Sequence, residues 1–277
     1  MRRLVVEFTK MSGAGNDFIV IDNRFYHFSG AELRELVLRW APRRTGIGAD
    51  GLLALESADT EGVDFRMRYL NADGSVGSMC GNGARCLARY ARSAGLESQP
   101  LVFDTDAGRY EAYVEAEPSA DVRLVLGPYA DYGRRDLAAM EGLPGEAHYV
   151  WTGTEHLVVF VPDVDQAPVA ETGPVLRADP AISSTGANVN YVEVTGRAAL
   201  RVRTFEKGVE AETLACGTGA TASAIAACLT GRINAGRVQV SMPGGTLVVD
   251  IQGDPQFPDR LVLEGPAEFV FRGSFEW

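Results

Sequence analysis

The feature that most constrains this chain is an internal echo. Cys80-Gly81-Asn82-Gly83-Ala84 returns 136 residues later as Cys216-Gly217-Thr218-Gly219-Ala220, in a chain of 277 residues. Each copy follows a polar turn and opens a helix-like segment, residues 85–94 in the first and 220–229 in the second. A strand-turn-strand pattern follows each helix, with Gly108 lying 28 residues after Cys80 and Gly244 lying 28 after Cys216. Self-similarity at a fixed offset of about half the chain points to two similar structural halves, each carrying one Cys-Gly-x-Gly element. The length, well above that of a typical single domain, agrees with two modest domains.

Periodicity fills in the rest as an α+β protein. Residues 220–229 are small and apolar on nearly every side, so this helix should be enclosed, as it would be if threaded through a curved sheet. Ser29-Gly30-Ala31-Glu32 spells a capping box, and the amphipathic stretch to Trp40 reads as a surface helix. Strand patterns cover residues 4–8, 18–22, 51–56, 65–70, 109–115, 122–126, 157–161, 191–194, 200–205, 238–242 and 247–251. Residues 133–145 and 162–186, rich in Pro, Gly and charge, read as loops with room for one short helix.

Bulk properties exclude several function classes. A net charge of -11 repels polyanions, which argues against nucleic acid. Apolar runs are far shorter than a membrane span, and Met1-Arg2-Arg3 leads into a strand-like run rather than a signal-peptide core, so a cytosolic location away from membranes is expected. The spacings of Cys80, Cys86, Cys216 and Cys228 fit no zinc template, and with only His27, His148 and His156 available no metal site is expected. Reduced thiols are the working assumption. Gly13-Ala14-Gly15 and Gly81-Asn82-Gly83 echo a dinucleotide fingerprint, but the first leads into a strand and the second has Cys86 where a third glycine belongs. Cys86 and Cys228, deeper in the helices, read as buried small residues.

The chemistry concentrates at the echo. A cysteine at the first turn of a helix lies beside unpaired backbone N–H groups and the positive end of the helix dipole, which favour thiolate over thiol. The flanking glycines let a carboxylate approach the same N–H groups. If two such halves face each other, one small substrate can lie between two sulfurs. Inverting a carbon stereocentre needs a base on one face and an acid on the other, roles that a thiolate and a thiol fill and exchange. Without an electron-sink cofactor, the backbone dipoles aimed at the carboxylate must stabilise the developing carbanion.

Lys10-Met11-Ser12-Gly13-Ala14-Gly15-Asn16-Asp17-Phe18, Asn71-Ala72-Asp73-Gly74-Ser75, residues 79–85, Ala187-Asn188-Val189-Asn190, Phe205-Glu206-Lys207-Gly208, Glu212-Thr213, residues 215–219 and Pro243-Gly244-Gly245 resemble, in order and over almost the whole length, the signature segments of the diaminopimelate epimerase family. The resemblance implies two domains, each a curved sheet around a central helix, with the last strand returning to the first domain: residues 1–118 with 265–277, and 119–264. It implies cofactor-independent interconversion of LL- and meso-diaminopimelate, a small-molecule substrate, in lysine and peptidoglycan precursor synthesis, and it leaves a homodimer open. It makes Cys80 and Cys216 the catalytic pair. Gly81, Asn82, Gly217 and Thr218 would hold the reacting carboxylate, Asn16 would bind substrate, and Asn71, Asn188, Glu206 and Lys207 would read the distant amino and carboxylate groups. His156 would be an auxiliary group beside the site.

Two departures from the family pattern bear on the substrate. Lys207 stands where the family usually has arginine, replacing a bidentate clamp with a point charge. Gly153-Thr154-Glu155-His156 lacks the proline of the family turn and adds a carboxylate, which would repel a distal carboxylate or welcome a cation. The alternatives are a two-cysteine racemase of the same fold acting on another amino acid such as histidine, a Cys/His hydrolase using Cys216 and His156, and a catalytically silent binding protein.

Overall fold

The computed structural model describes residues 4–117, 121–137 and 143–277. The chain splits into two compact units, Met1–Leu124 with Gly265–Trp277, and Val125–Glu264. The boundary expected between residues 118 and 119 lies outside the described residues; the units divide a few residues later, within a strand.

The first unit opens with β1 (Val5–Gly13) and β2 (Asn16–Asp22), a hairpin in which Gly13 pairs with Asn16. Its two turn residues, Ala14 and Gly15, both have positive φ, 53° and 93°, the combination that a tight hairpin demands. One helical turn, α1 (Asn23–Tyr26), precedes α2 (Gly30–Trp40), where Ser29 and Glu32 form the expected capping box. Next come β3 (Gly51–Glu56), β4 (Phe65–Asn71) and the two-residue β5 (Val76–Gly77), then α3 (Gly81–Ser93), β6 (Leu101–Thr105), β7 (Gly108–Tyr113) and β8 (Val122–Leu126). β2 and β3 run parallel and are buried on both faces. Ile19, Ile21, Leu52 and Ala54 face Leu33, Leu36 and Val37 of α2. Phe18 and Leu53 lie instead against Gly83 of α3, so that α3 packs on β1 to β4 from the other side. Alternation of side chains along a strand is what lets one sheet serve two helices.

The second unit holds β9 (Ala130–Asp136), β10 (Glu146–Trp151), β11 (Glu155–Phe160), a 3₁₀ turn at Val164–Gln166, α4 (Val169–Ala178), β12 (Asn188–Gly196), β13 (Ala199–Glu206), β14 (Ala211–Thr213), α5 (Gly217–Leu229), β15 (Gly236–Met242), β16 (Gly245–Asp254) and β17 (Phe257–Gly265). α5 touches β10 to β13, β15 and β16, and Gly217 and residues 219–227 are buried. The expectation that this uniformly apolar helix is enclosed therefore holds. Its small side chains let strands approach on every side. The chain then returns to the first unit as β18 (Glu268–Glu276), antiparallel to β1.

The echo is structural, with two adjustments. Both helices contain 13 residues and start at the glycine after the cysteine rather than at residues 85 and 220, so each Cys-Gly-x-Gly forms the helix start itself. The following hairpins match through Thr105–Gly108 and Met242–Gly245 pairs, so the partner of Gly108 is Gly245, one residue past Gly244. Residues 133–136 of the expected loop are strand, while 138–142 of that loop lie outside the described residues; the loop read over 162–186 contains α4.

Candidate functional site

Cys80 and Cys216 are the N-cap residues of α3 and α5, both in extended conformation, at φ -140° and -127°. This is the position whose side chain meets the unpaired N–H groups of a helix start. Cys80 Sγ accepts from the Gly83 N–H at 3.4 Å. Cys216 Sγ lies 3.5 Å from the Thr218 hydroxyl. The third position after each cysteine is crowded to different degrees: a Cβ on Gly83 would come 3.1 Å from Leu53, a tight contact, whereas one on Gly219 would sit 2.3 Å from Asn190 Oδ1 and 3.2 Å from Cys216 Sγ, closer than a side chain can approach without displacing Asn190.

Around α3, Asn82 is buried and joined to Asn16, its Nδ2 donating to Asn16 Oδ1 at 2.6 Å. Asn16 and Asn82 are thus brought together at the helix start. Behind them, Asp17 and Asp50 share Arg43, and Lys10, only 5% exposed, pairs with Asp17 at 2.7 Å. Burial pushes the Asp17 carboxyl up, but hydrogen bonds from Arg43 and Lys10 outweigh it and hold it below the usual carboxylate range. Asn71 is occupied locally: its Oδ1 accepts from Tyr69 Oη at 2.6 Å and its Nδ2 donates to Ser75 Oγ at 2.9 Å.

Around α5, Thr152 Oγ1 donates to the Thr218 carbonyl at 3.0 Å, fastening the β10–β11 turn to the helix start. Asn190 is buried, accepts from Thr204 Oγ1, and donates through Nδ2 to the Leu157 carbonyl at 3.0 Å. A carbonyl can only accept, so the Asn190 amide has one orientation, and its Nδ2 must donate to His156 Nδ1, 3.1 Å away. The His156 proton is thereby placed on Nε2, which is buried with no hydrogen-bond partner among the described residues. Burial foremost, with Lys207 adding, pushes His156 down to about 3, so the ring is neutral at pH 7. Such a ring is a poor general base, which counts against the Cys216–His156 hydrolase.

Asn188, one pleat from Asn190, clasps two segments: Nδ2 donates to the Glu155 carbonyl at 3.1 Å and Oδ1 accepts from the Lys207 N–H at 2.8 Å. Glu206, half-buried, closes β13 beside it. The two departures from the family pattern meet each other: Lys207 Nζ lies 2.5 Å from Glu155 Oε2. Burial pushes Glu155 up, yet hydrogen bonds from Lys207, Thr185 and Thr154 hold it down at about 2. The extra carboxylate is therefore neutralised by the cation expected to read a distal carboxylate. Cys86, fully buried, is pushed up to about 12 by desolvation, and Cys228 to about 11. Cys228 is half-buried rather than buried, because it lies in the last turn of α5, where its Sγ donates to the Asn234 carbonyl.

A family model described as diaminopimelate epimerase matches residues 8–130 and 148–270, one stretch spanning each cysteine. The chain belongs to the diaminopimelate epimerase family. The diaminopimelate epimerase of Chlorobaculum tepidum is 44% identical over 267 residues, covering 95% of this chain and 99% of its own. That of Aquifex aeolicus is 37% identical, covering 97% of each. Among solved structures, a hydroxyproline epimerase from Agrobacterium vitis superposes with a TM-score of 0.71 at 17% identity, covering all of this chain and 92% of its own; at that identity the likeness shows the fold alone. Within the diaminopimelate epimerase frame, several residues of these clusters escaped the sequence reading. Asn190 had a signal in its two-residue spacing from Asn188, which puts both on one strand face. Asp50, Thr152 and Thr185 had none, because their roles arise only from contacts between distant segments.

Proposed function

We propose that this chain epimerises LL-2,6-diaminopimelate to the meso form without a cofactor, with Cys80 and Cys216 acting on opposite faces of one α-carbon. The observation that carries it is the pair of cysteine N-caps at equivalent positions of a duplicated fold, in a chain of the diaminopimelate epimerase family. One sulfur, as thiolate, takes the α-proton; the C–H electron pair passes to the α-carbon and its carboxylate; the other sulfur, as thiol, delivers its proton to the opposite face. The protonation states of the two cysteines are then exchanged, ready for the reverse reaction. Each helix start contributes N–H groups to the reacting carboxylate, and one such donor lowers a barrier by roughly 3 kcal/mol in a dry site. Gly81, Asn82, Gly217, Thr218 and Asn16 hold that carboxylate. Asn188, Glu206 and Lys207, with Asn71, read the distal end, and neutral His156 is an auxiliary donor through Nε2. The product serves lysine and peptidoglycan precursor synthesis in the cytosol. Among the described residues no helix is long and apolar enough to cross a membrane.

The test is turnover of LL-diaminopimelate followed by chiral chromatography. Cys80→Ala and Cys216→Ala should each lower kcat by about a thousandfold or more, whereas full turnover by either variant would remove the two-thiol mechanism. A second reading, a racemase of another amino acid, draws on the Lys207–Glu155 pair, which leaves less net charge for a distal carboxylate. A substrate panel separates them, since that reading requires inversion of an amino acid with no distal carboxylate and none of diaminopimelate.

A further inference from the structure

The first unit contains a run of hydrogen bonds whose direction is set at both ends. Arg85, fully buried on α3, donates from Nη2 to Asn82 Oδ1 at 2.8 Å. Asn82 Nδ2 donates to Asn16 Oδ1 at 2.6 Å, and Asn16 Nδ2 donates to Asp50 Oδ2 at 3.1 Å. Asp50 is held by Arg43, which donates to its Oδ1 at 2.6 Å, and by the Asp17 N–H on Oδ2. Among the described residues, the other hydrogen bonds of Arg85 go to the carbonyls of Gly81 and Pro266.

A guanidinium only donates and a carboxylate only accepts. Every carboxamide between the two is therefore locked in one orientation. Turning Asn82 over would set its NH₂ against Arg85, and turning Asn16 over would set its carbonyl against Asp50. Each amide oxygen accepts one hydrogen bond inside the run and is thereby directed into it, while each NH₂ spends one N–H and keeps the other. With the oxygens directed into the run, Asn16 and Asn82 each retain one N–H to offer at the start of α3, beside the helix N–H groups.

We propose that Asp50 and Arg85 are positioning residues that hold the Asn16 and Asn82 amides in one orientation, each with an N–H to spare, so that this end of the site favours a carboxylate over its uncharged amide. The inference rests on Asn16 and Asn82 meeting the reacting carboxylate. It gives a role to a fully buried arginine whose hydrogen bonds among the described residues all go to uncharged oxygens: it serves as the donor end of the run. It also predicts redundancy, because either end alone still fixes the direction of both amides.

The test uses the monocarboxamide of diaminopimelate in D₂O, reading deuterium at the α-carbon beside the carboxylate and at the α-carbon beside the carboxamide. The wild type should exchange strongly in favour of the carboxylate end. Asp50→Asn and Arg85→Gln, which substitute groups that can present either an oxygen or an NH₂, should each leave that ratio within about 1.5-fold. The double variant should lower it by about tenfold, the fold-change expected for losing one charge-assisted hydrogen bond, and so show coupling between sites that share a network. A double variant that keeps the wild-type ratio, or two single losses that merely multiply, would overturn the inference. Loss of both exchanges in the wild type would instead count against the proposed function. If the double variant does not fold, neutron diffraction on the wild type decides: deuterons of Asn82 directed at Asn16 Oδ1 support the lock, and the reverse orientation ends it.

Discussion

Four cysteines that look alike in the sequence are separated by their surroundings into two classes. With Cys86 at about 12 and Cys228 at about 11, roughly one in ten thousand and one in a thousand of these thiols are ionised at pH 8. Brief alkylation by iodoacetamide at that pH, read by peptide mass spectrometry, should therefore label Cys80 at its half-exposed helix start and leave Cys86 and Cys228 untouched. His156 makes a prediction about stability. Its folded value, about 3, lies below the ordinary 6.5, so the unfolded chain binds a proton that the folded chain refuses. Stability is then full above pH 6.5 and falls as pH drops through the window towards 3, with His148 shifted in the same direction by burial. Urea unfolding between pH 7 and 4.5 should show this slope, and His156→Gln should flatten it; an unchanged slope would mean that His156 is not buried as a neutral ring. The Cys-Gly-x-Gly pair was legible because it is local and repeated. The Lys207–Glu155 bond was legible only in part: the family pattern put both residues at the distal end of the substrate, but nothing in either segment says that they pair with each other.

At the scale of elements, capping chemistry and alternation made some elements legible, although the largely buried β6 and β10 were missed. Ser29 and Glu32 announced α2 through capping chemistry that is complete within four residues. Replacing Ser29 with Ala should cost about 1 kcal/mol, measurable as a shift in the urea midpoint. β15 and β16 were readable because Val238, Val240, Leu247, Val249 and Ile251 alternate with exposed or half-buried neighbours. β9 and β18 were not, since most of their residues are exposed on both faces and leave no two-residue rhythm to detect. The helix starts were placed late because glycine is a poor helix former, and only the close approach of Asn190 to Gly219 shows why it is kept. Gly219→Ala should accordingly displace Asn190 and with it the His156 contact. The expected result is a loss of most activity together with lower thermal stability, whereas a fully active variant would show that α5 starts with room to spare.

For the whole molecule, duplication explains more than any single motif. One family model fits each half, and each half repeats the order of capping cysteine, 13-residue helix and hairpin. The last strand breaks the symmetry by pairing with β1, where Phe275 joins Phe8 and Trp40 in the core of the first unit. Removing residues 268–277 should expose that core and abolish hydrogen-exchange protection in β1 and α2. The central claim is that two thiols, one per half, serve opposite faces of one carbon. It is tested most directly by the initial-rate distribution of deuterium when LL-diaminopimelate reacts in D₂O. Two separate acid/base groups predict that the meso product carries one solvent deuteron while recovered LL substrate stays protiated. Equal early labelling of substrate and product would instead mean that one group both removes and returns the proton, and the two-thiol account would be wrong.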